Sequence, residues 1–203
     1  MKTSECIRCA DFPCTDIDTA GHRIPAHEID PAGVRVVMIS EAPPADPADY
    51  FYAPGNPFYL QTTLQAFDEA GQPVETLEDI LSLGVYLTTA IKCAKTGYGI
   101  QSATVEHCSK LLEQELALFP HVRVYLLMGD VAIKALNLIA RRAGAPRVIP
   151  AGSTYKIRAG EFHYGDIRVF PSYVQTGKNY LIEKSKRQMI AEDIRAAMAY
   201  LAG

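Results

Sequence analysis

The amino-acid sequence predicts an α/β fold, a three-layer α-β-α sandwich around a four-stranded, mostly parallel sheet. Four short runs of apolar and β-branched residues are typical of strands that are buried on both faces. Segments with helical spacing separate these runs, and such alternation is typical of parallel sheets covered by helices. The predicted strands cover residues 34–39, 85–91, 122–128 and 167–170.

The segments between the strands carry the signals of helix ends. Thr76 is placed as an N-cap with Asp79 three residues later, and Asp130 is placed as an N-cap after the third strand. A small hairpin is expected from residues 153–157 and 161–164. The predicted helices cover residues 58–69, 76–83, 104–119, 130–143 and 184–201.

Length and composition favour one globular domain over residues 1–203. The chain has 203 residues, of which 48% are hydrophobic and 21% charged. A hydrophobic core can therefore form without a disulfide or metal to stabilise it. The N-terminus lacks the apolar region of a signal peptide, and no apolar run has the length of a membrane span. We therefore expect a cytoplasmic monomer with no membrane partner.

The net charge of −3 is unevenly distributed along the chain. Residues 1–140 hold nine Lys/Arg and eighteen Asp/Glu, whereas residues 141–187 hold ten Lys/Arg and three Asp/Glu, a net charge of +7. An acidic protein is a weak candidate for non-specific DNA binding, but a local basic stretch can contact nucleic acid. A solvated basic surface is the alternative interpretation.

The carboxyl ends of the predicted strands are the expected place for function. In open parallel sheets the ligand lies beyond these ends, whatever the family. The segments that should meet there are residues 40–43, 89–93, 129–130 and 171–173.

Five cysteines suggest a metal or cluster site. Cys6 and Cys9 form a C-x2-C pair, and fourteen residues separate Cys93 from Cys108. Because the number is odd and a cytosolic location is expected, a disulfide framework is a poor interpretation. Thiolates at this spacing bind an iron–sulfur cluster or zinc. Cys14 could replace one of the four, and buried core residues are the alternative role for Cys93 and Cys108.

Several further motifs stand in order along the chain. Residues 40–44 are Ser-Glu-Ala-Pro-Pro, and residues 55–58 are Gly-Asn-Pro-Phe. Gly129 stands between a strand and a helix, and residues 169–173 are Val-Phe-Pro-Ser-Tyr. Together with the cysteines, these motifs resemble the iron–sulfur branch of the uracil-DNA glycosylase superfamily, the family-4-like enzymes. The resemblance covers nearly the whole chain.

The resemblance implies a DNA-repair hydrolase that excises a damaged or deaminated base by breaking its N-glycosidic bond. Glu41 would be catalytic, either by orienting a water molecule or by stabilising the cationic sugar. Its alternative role is to cap or to form an ion pair within a loop. The implied ligands of a 4Fe-4S cluster are Cys6, Cys9, Cys93 and Cys108. The implied substrate-binding residues are Ala42, Phe58, Thr89, Ser172, Tyr173 and Gln175. DNA is the implied partner, with phosphate contacts from Lys178, Lys184 and Arg187.

The chain departs from the family pattern at the positions that recognise the base. Thr89 stands where the family usually has Asn, and a hydroxyl cannot make the paired contact of an amide. Val174-Gln175 replaces a His-Pro pair whose imidazole supports charge on the departing uracil. Losing one oriented donor commonly costs a factor of about 10² to 10³ in rate. We therefore expect slow or absent uracil excision. A non-catalytic binder of DNA, a nucleotide or a small molecule is the alternative, and an unrelated enzyme on this scaffold is a third.

Overall fold

A computed structural model describes the backbone of residues 1–203 and every side chain except those of Asn179 and Ile182. The strands are β1 (Ile17–Asp18), β2 (Val36–Ser40), β3 (Val85–Thr89), β4 (Ala94–Lys95), β5 (Val124–Met128), β6 (Phe162–Tyr164) and β7 (Ile167–Ser172). The helices are α1 (Thr3–Cys6), α2 (Phe58–Glu69), α3 (Leu77–Ser82), α4 (Ser102–Leu116), α5 (Asp130–Arg142), α6 (Thr154–Ile157), α7 (Lys178–Ile182) and α8 (Lys184–Ala202).

The central sheet has the strand order β3-β2-β5-β7-β6. Its first four strands are parallel, and β6 pairs antiparallel with β7 at the far edge. The predicted α/β class and mostly parallel sheet are confirmed, but the sheet has five strands rather than four. The fifth is short and only partly buried, so it lacks the continuous apolar run that identifies the others.

The expected hairpin is half wrong. Residues 162–164 form β6, but residues 154–157 form helix α6 and do not pair with it. Arg158 explains the difference, because its guanidinium donates to the Asp193 carboxylate (2.8 Å) and to the Met189 carbonyl (2.7 Å) on α8. These bonds fasten the segment to α8 instead of to β6.

Helices cover both faces of the sheet and give the predicted three layers. Val37 and Ile39 of β2 face a core built with α4 and α5, whereas Val36 and Met38 face a core built with α2, α3 and α8. This alternation follows from the pleat of a strand, which points successive side chains to opposite faces. Within the described residues, no helix combines the length and the apolar character needed to cross a membrane.

A buried ion pair fastens the end of β3 to α4. Lys92 and Glu115 are fully buried, and Lys92 Nζ donates to the Glu115 carboxylate, to Thr88 Oγ1 (2.9 Å) and to the Thr89 carbonyl (2.6 Å). The hydroxyl of Tyr86 donates to Glu115 Oε1 at 2.7 Å. Each charge is thus matched by an opposite charge and by further hydrogen bonds, which is the condition for keeping such a pair in a core.

Replacing Glu115 by Gln should lower the free energy of unfolding by about 3–5 kcal/mol, because the volume is kept while the Lys92 charge is left unpaired. Glu106→Gln is a matched control on the same helix, since Glu106 forms an exposed pair with Arg141. The control should cost less than about 1 kcal/mol. Urea denaturation measures both values, and equal effects would contradict the role given to the buried pair.

Candidate functional site

The carboxyl ends of the parallel strands meet at one edge of the sheet. Ser40 at the end of β2 is in register with Thr89 of β3, and Met128 of β5 is in register with Ser172 of β7. Glu41 follows β2 directly. Strand pairing therefore places Thr89 and Ser172 at this edge, and Glu41 lies there because it directly follows β2.

Glu41 is held at the N-terminus of α5. The backbone N–H of Val131 donates to Glu41 Oε1 at 3.3 Å, and the positive end of a helix dipole stabilises a carboxylate. Gly129 makes this approach possible. It has φ of +108°, and a Cβ at this position would lie 2.7 Å from Glu41 Oε1 and 2.6 Å from Val174 Cγ2. A side chain at residue 129 would therefore displace the carboxylate.

Glu41 opens onto a cleft of about 460 Å³, a usual size for a small-ligand site. Of the predicted base-contacting residues, Tyr173 lines it with Glu41. Lys186 Nζ lies 5.4 Å from the centre of the Tyr173 ring and 3.1 Å from the Glu183 carboxylate. The remaining lining residues are Tyr98, Gly129, Asp130, Thr154 and Val174. Two clefts of similar volume lie along α8 and between α4 and α5, and neither is lined by Glu41.

Three predicted base-contacting side chains are not among the residues that line the cleft. Thr89, Ser172 and Gln175 are fully buried. Thr89 Oγ1 donates to the Ile91 carbonyl at 2.7 Å, and Ser172 Oγ donates to Asp193 Oδ2 at 2.6 Å. Gln175 Oε1 accepts from Ser40 Oγ at 3.1 Å. Ala42 is buried as well. The structure therefore uses these polar groups for internal hydrogen bonds.

Phe58 begins α2 and is half-buried. Its backbone N–H donates to Asp49 Oδ1 at 3.3 Å, which fixes the start of the helix. Among the described side chains that pack on the two apolar cores, Phe58 is not included. Phe58 is also not among the residues that line the cleft at Glu41.

Tyr59, the next residue, is missing from the sequence prediction. Its ring lies 3.2 Å from the place where a Cβ on Gly177 would stand, and Thr62 Oγ1 accepts from the Gly177 N–H at 3.2 Å. Burial raises the pKa of Tyr59, and the negative charge of Glu41 adds to the rise. Tyr59 and Thr62 thus fasten the loop that carries Val174 to α2. The only feature of the sequence that points to Tyr59 is its position directly after Phe58, the last residue of the Gly-Asn-Pro-Phe motif.

The long loop after Glu41 folds back onto β3 through aromatic residues. The Tyr52 hydroxyl donates to the Leu87 carbonyl (2.8 Å) and accepts from the Leu87 N–H (3.2 Å). Tyr50 is fully buried, and its hydroxyl has no hydrogen-bond partner among the described atoms. Burial raises its pKa well above the usual value, with Thr89 close by. This loop therefore covers the end of β3, where the family amide would recognise a base.

The predicted phosphate contacts comprise two exposed lysines and one paired arginine. Lys178 and Lys184 are exposed. Arg187 instead pairs with the Glu69 carboxylate and lies 5.2 Å from the centre of the Tyr180 ring. Much of the basic stretch is similarly neutralised by acidic residues elsewhere, in the pairs Arg141–Glu106, Arg142–Glu113 and Arg158–Asp193.

The cysteines divide into a converging group and an outlier. Burial raises the pKa of Cys93 to about 12, and the neighbouring thiols of Cys108, Cys9 and Cys14 add to the rise. Cys6 is exposed, and its Sγ lies 3.7 Å from the Lys2 carbonyl oxygen. In the described part of the chain, no three His, Cys, Asp or Glu side chains are close enough to hold a single metal ion.

The strand ends of this parallel sheet carry a carboxylate, a helix N-terminus and a cleft. These features define an α/β protein that binds its ligand beyond the strands. Residues 26–196 match the model of one family, and the chain belongs to the uracil DNA glycosylase superfamily. The sequence resemblance is thereby confirmed at the level of the superfamily.

One curated relative is a type-5 uracil-DNA glycosylase from Thermus thermophilus. The two chains are 31% identical over 103 residues. The aligned segment covers 50% of this chain and 46% of the relative, so the match spans about half of each protein.

Ser172→Ala should lower the free energy of unfolding by about 1–3 kcal/mol at pH 7, because the buried Asp193 carboxylate loses one of its hydrogen-bond donors. Burial raises the pKa of Asp193 to about 6, against a usual value of 3.8. The folded state therefore holds this proton more tightly, and stability falls as pH rises from about 4 to 6. The cost of Ser172→Ala should accordingly be smaller at pH 5 than at pH 7.

Denaturation curves at the two pH values check this, with Ser185→Ala, an exposed serine on α8, as the control. A loss that does not change with pH would show that the hydroxyl does not act through Asp193.

Proposed function

We propose that this chain is an iron–sulfur member of its superfamily that binds DNA and hydrolyses the N-glycosidic bond of a damaged or deaminated base, with slow or absent activity on uracil. The observation that carries the proposal is the Glu41 carboxylate, fixed by the Val131 N–H and facing a cleft at the strand ends. The relative's printed name, a uracil-DNA glycosylase, supports the same class of reaction.

The cleft suits a nucleotide that has left the base stack. Enzymes that act on a base must extrude it into a pocket. The aromatic rings that line the cleft and can stack on such a base are those of Tyr98 and Tyr173, and Phe58 is not among the lining residues. Glu41 Oε1 is occupied by the Val131 N–H, and no donor in the described chain reaches Oε2. Oε2 can therefore accept a hydrogen bond from the attacking water, while the carboxylate charge stabilises the cationic sugar.

In this reaction the bond between C1′ and the base nitrogen breaks, and its electron pair leaves with the base. Water adds to C1′ and gives up a proton, and the base takes up a proton. Val174 occupies the cleft where the family imidazole would stabilise the leaving base, and the cationic side chain that lines the cleft is Lys186. Weak stabilisation of the leaving group is the physical reason for slow excision of uracil.

The cysteines would hold a 4Fe-4S cluster. When bound, the cluster would act as a staple that ties the N-terminal segment to Cys93, after β3, and to Cys108 of α4. The order and spacing of Cys6, Cys9, Cys93 and Cys108, which resemble those of the iron–sulfur branch, favour the cluster over zinc. Nothing in the proposed hydrolysis passes through the cluster.

A base-release assay tests the function. Single- and double-stranded oligonucleotides carrying uracil, hypoxanthine, xanthine or a mismatch are incubated with the protein, and alkaline cleavage reports base loss. We expect release of at least one non-uracil base, lowered by about 10² or more in Glu41→Gln. DNA binding without any base loss would overturn the glycosylase and favour the non-catalytic binder, which the internal hydrogen bonds of Thr89 and Gln175 would suit.

The same assay tests the departures from the family pattern. Val174→His should raise uracil excision by about 10² or more, because Val174 lines the cleft and the imidazole restores a donor of the kind worth about 10² to 10³. Gln175 is left unchanged because Ser40 donates to it inside the fold. Adding Glu41→Gln should abolish the gain. Strong uracil excision by the unmodified chain would show that these substitutions are not losses.

DNA binding should depend on the exposed lysines Lys178 and Lys184 of the basic stretch. Lys178→Ala and Lys184→Ala should each lower the slope of log binding constant against log salt concentration by about 0.7–0.9, since each phosphate contact releases condensed counterions. Arg187→Ala is the matched control and should leave the slope unchanged, because Glu69 already holds that guanidinium. Titrations at several salt concentrations measure the slopes, and a slope that depends on Arg187 alone would contradict this assignment.

A further inference from the structure

The groove between α4 and α5 is a cleft of about 500 Å³ that the proposed reaction does not use. Its apolar lining comes from Val105 of α4, Leu138 of α5 and Ala145 in the loop after α5. Val105 is buried, whereas Leu138 and Ala145 are partly exposed. Such a lining favours an apolar side chain from a ligand, because binding removes apolar surface on both sides from water.

Three cations surround this apolar lining. Lys134 and Arg141 lie on α5, Arg147 follows it, and all three side chains are exposed. Glu106 is the one acidic residue among the described groove residues, and it pairs with Arg141 at 3.2 Å. Lys134 and Arg147 have no carboxylate partner among the described side chains. The groove is therefore positive on a chain whose net charge is −3.

Asn137 holds the loop after α5 in place. Its Oδ1 accepts from the N–H groups of Val148 and Ile149, each at 3.0 Å, and its Nδ2 donates to the Ile149 carbonyl at 3.0 Å. Arg147 Nε donates to the same carbonyl at 2.8 Å. The guanidinium is thus positioned before any ligand arrives, and such preorganisation lowers the cost of binding.

An acidic peptide fits this groove better than DNA does. A sugar–phosphate backbone supplies anionic oxygens but no apolar side chain for the lining at Val105 and Leu138. The groove also lies on the face of the sheet that α4 and α5 cover, whereas α7 and α8, which carry Lys178 and Lys184, pack on the opposite face. The sheet therefore separates the groove from the lysines expected to contact phosphates.

We propose that the groove between α4 and α5 docks an acidic peptide segment of a partner protein. An apolar side chain of the peptide packs on Leu138, and its carboxylates pair with Lys134 and Arg147. Arg141 can exchange Glu106 for a peptide carboxylate, because an exposed ion pair is weak. This inference goes beyond the proposed function and does not depend on it, since none of the groove residues lines the cleft at Glu41.

Peptide binding measured by fluorescence anisotropy tests the unmodified chain. The probe is a short fluorescent peptide in which aspartates flank a leucine–phenylalanine pair. Two matched peptides carry serines in place of the aspartates or in place of the apolar pair. The probe should bind more tightly than both matched peptides, and its affinity should fall with added salt because screening weakens exposed charge pairs. This comparison needs no variant of the protein.

Charge reversal then locates the binding. Lys134→Glu should weaken binding of the probe by about fivefold or more, because it replaces an attraction by a repulsion. Lys110→Glu is the matched control, since Lys110 is an exposed lysine of α4 outside the groove and the change in charge is the same. The control should change the affinity by less than about twofold.

Several results would overturn the inference. One is no binding of the probe at low salt, and another is equal affinity for the peptide without the apolar pair. A third is an equal effect of Lys134→Glu and Lys110→Glu. If Lys134→Glu weakens binding of a single-stranded oligonucleotide and not of the probe, the groove belongs to DNA. If sedimentation shows a dimer that Lys134→Glu dissociates, it belongs to a second copy of this chain.

Discussion

The buried pair of Lys92 and Glu115 is the interaction on which both ends of the site depend. Lys92 donates to the Thr89 carbonyl on one side and precedes Cys93 on the other. Glu115, its partner, lies on the helix that carries Cys108. One charged contact therefore sets the position of the strand end near the cleft and of two cysteines. A buried pair of this kind is costly to break, so the end of β3, Cys93 and Cys108 are held in fixed relative positions.

The fold could be predicted where burial is continuous in sequence. β2, β3 and β5 are buried at every position, and such runs identify a strand without knowledge of its partners. The short strands β1, β4 and β6 have no such pattern, because pairing with distant residues defines them. The strand predicted over residues 153–157 is wrong for a related reason. The Arg158 guanidinium bonds to α8, and the local sequence does not reveal this contact.

The site could be predicted in position but not in orientation. Strand order places Glu41, Thr89 and Ser172 at one edge, and the sequence indicates that edge. Whether a polar side chain there faces a ligand or an internal partner depends on residues far away, such as Asp193 for Ser172. The basic stretch shows the same limit, because its positive charge is partly cancelled by acidic residues such as Glu69, Glu106 and Glu113.

The contact between Tyr52 and Leu87 has a consequence for association between molecules. β3 is an edge strand, and an edge strand of apolar and β-branched residues offers unpaired backbone groups to any other extended chain. One phenol oxygen satisfies both the N–H and the carbonyl of Leu87, as a neighbouring strand would. The loop that covers the end of β3 thereby also protects this edge of the sheet against edge-to-edge aggregation.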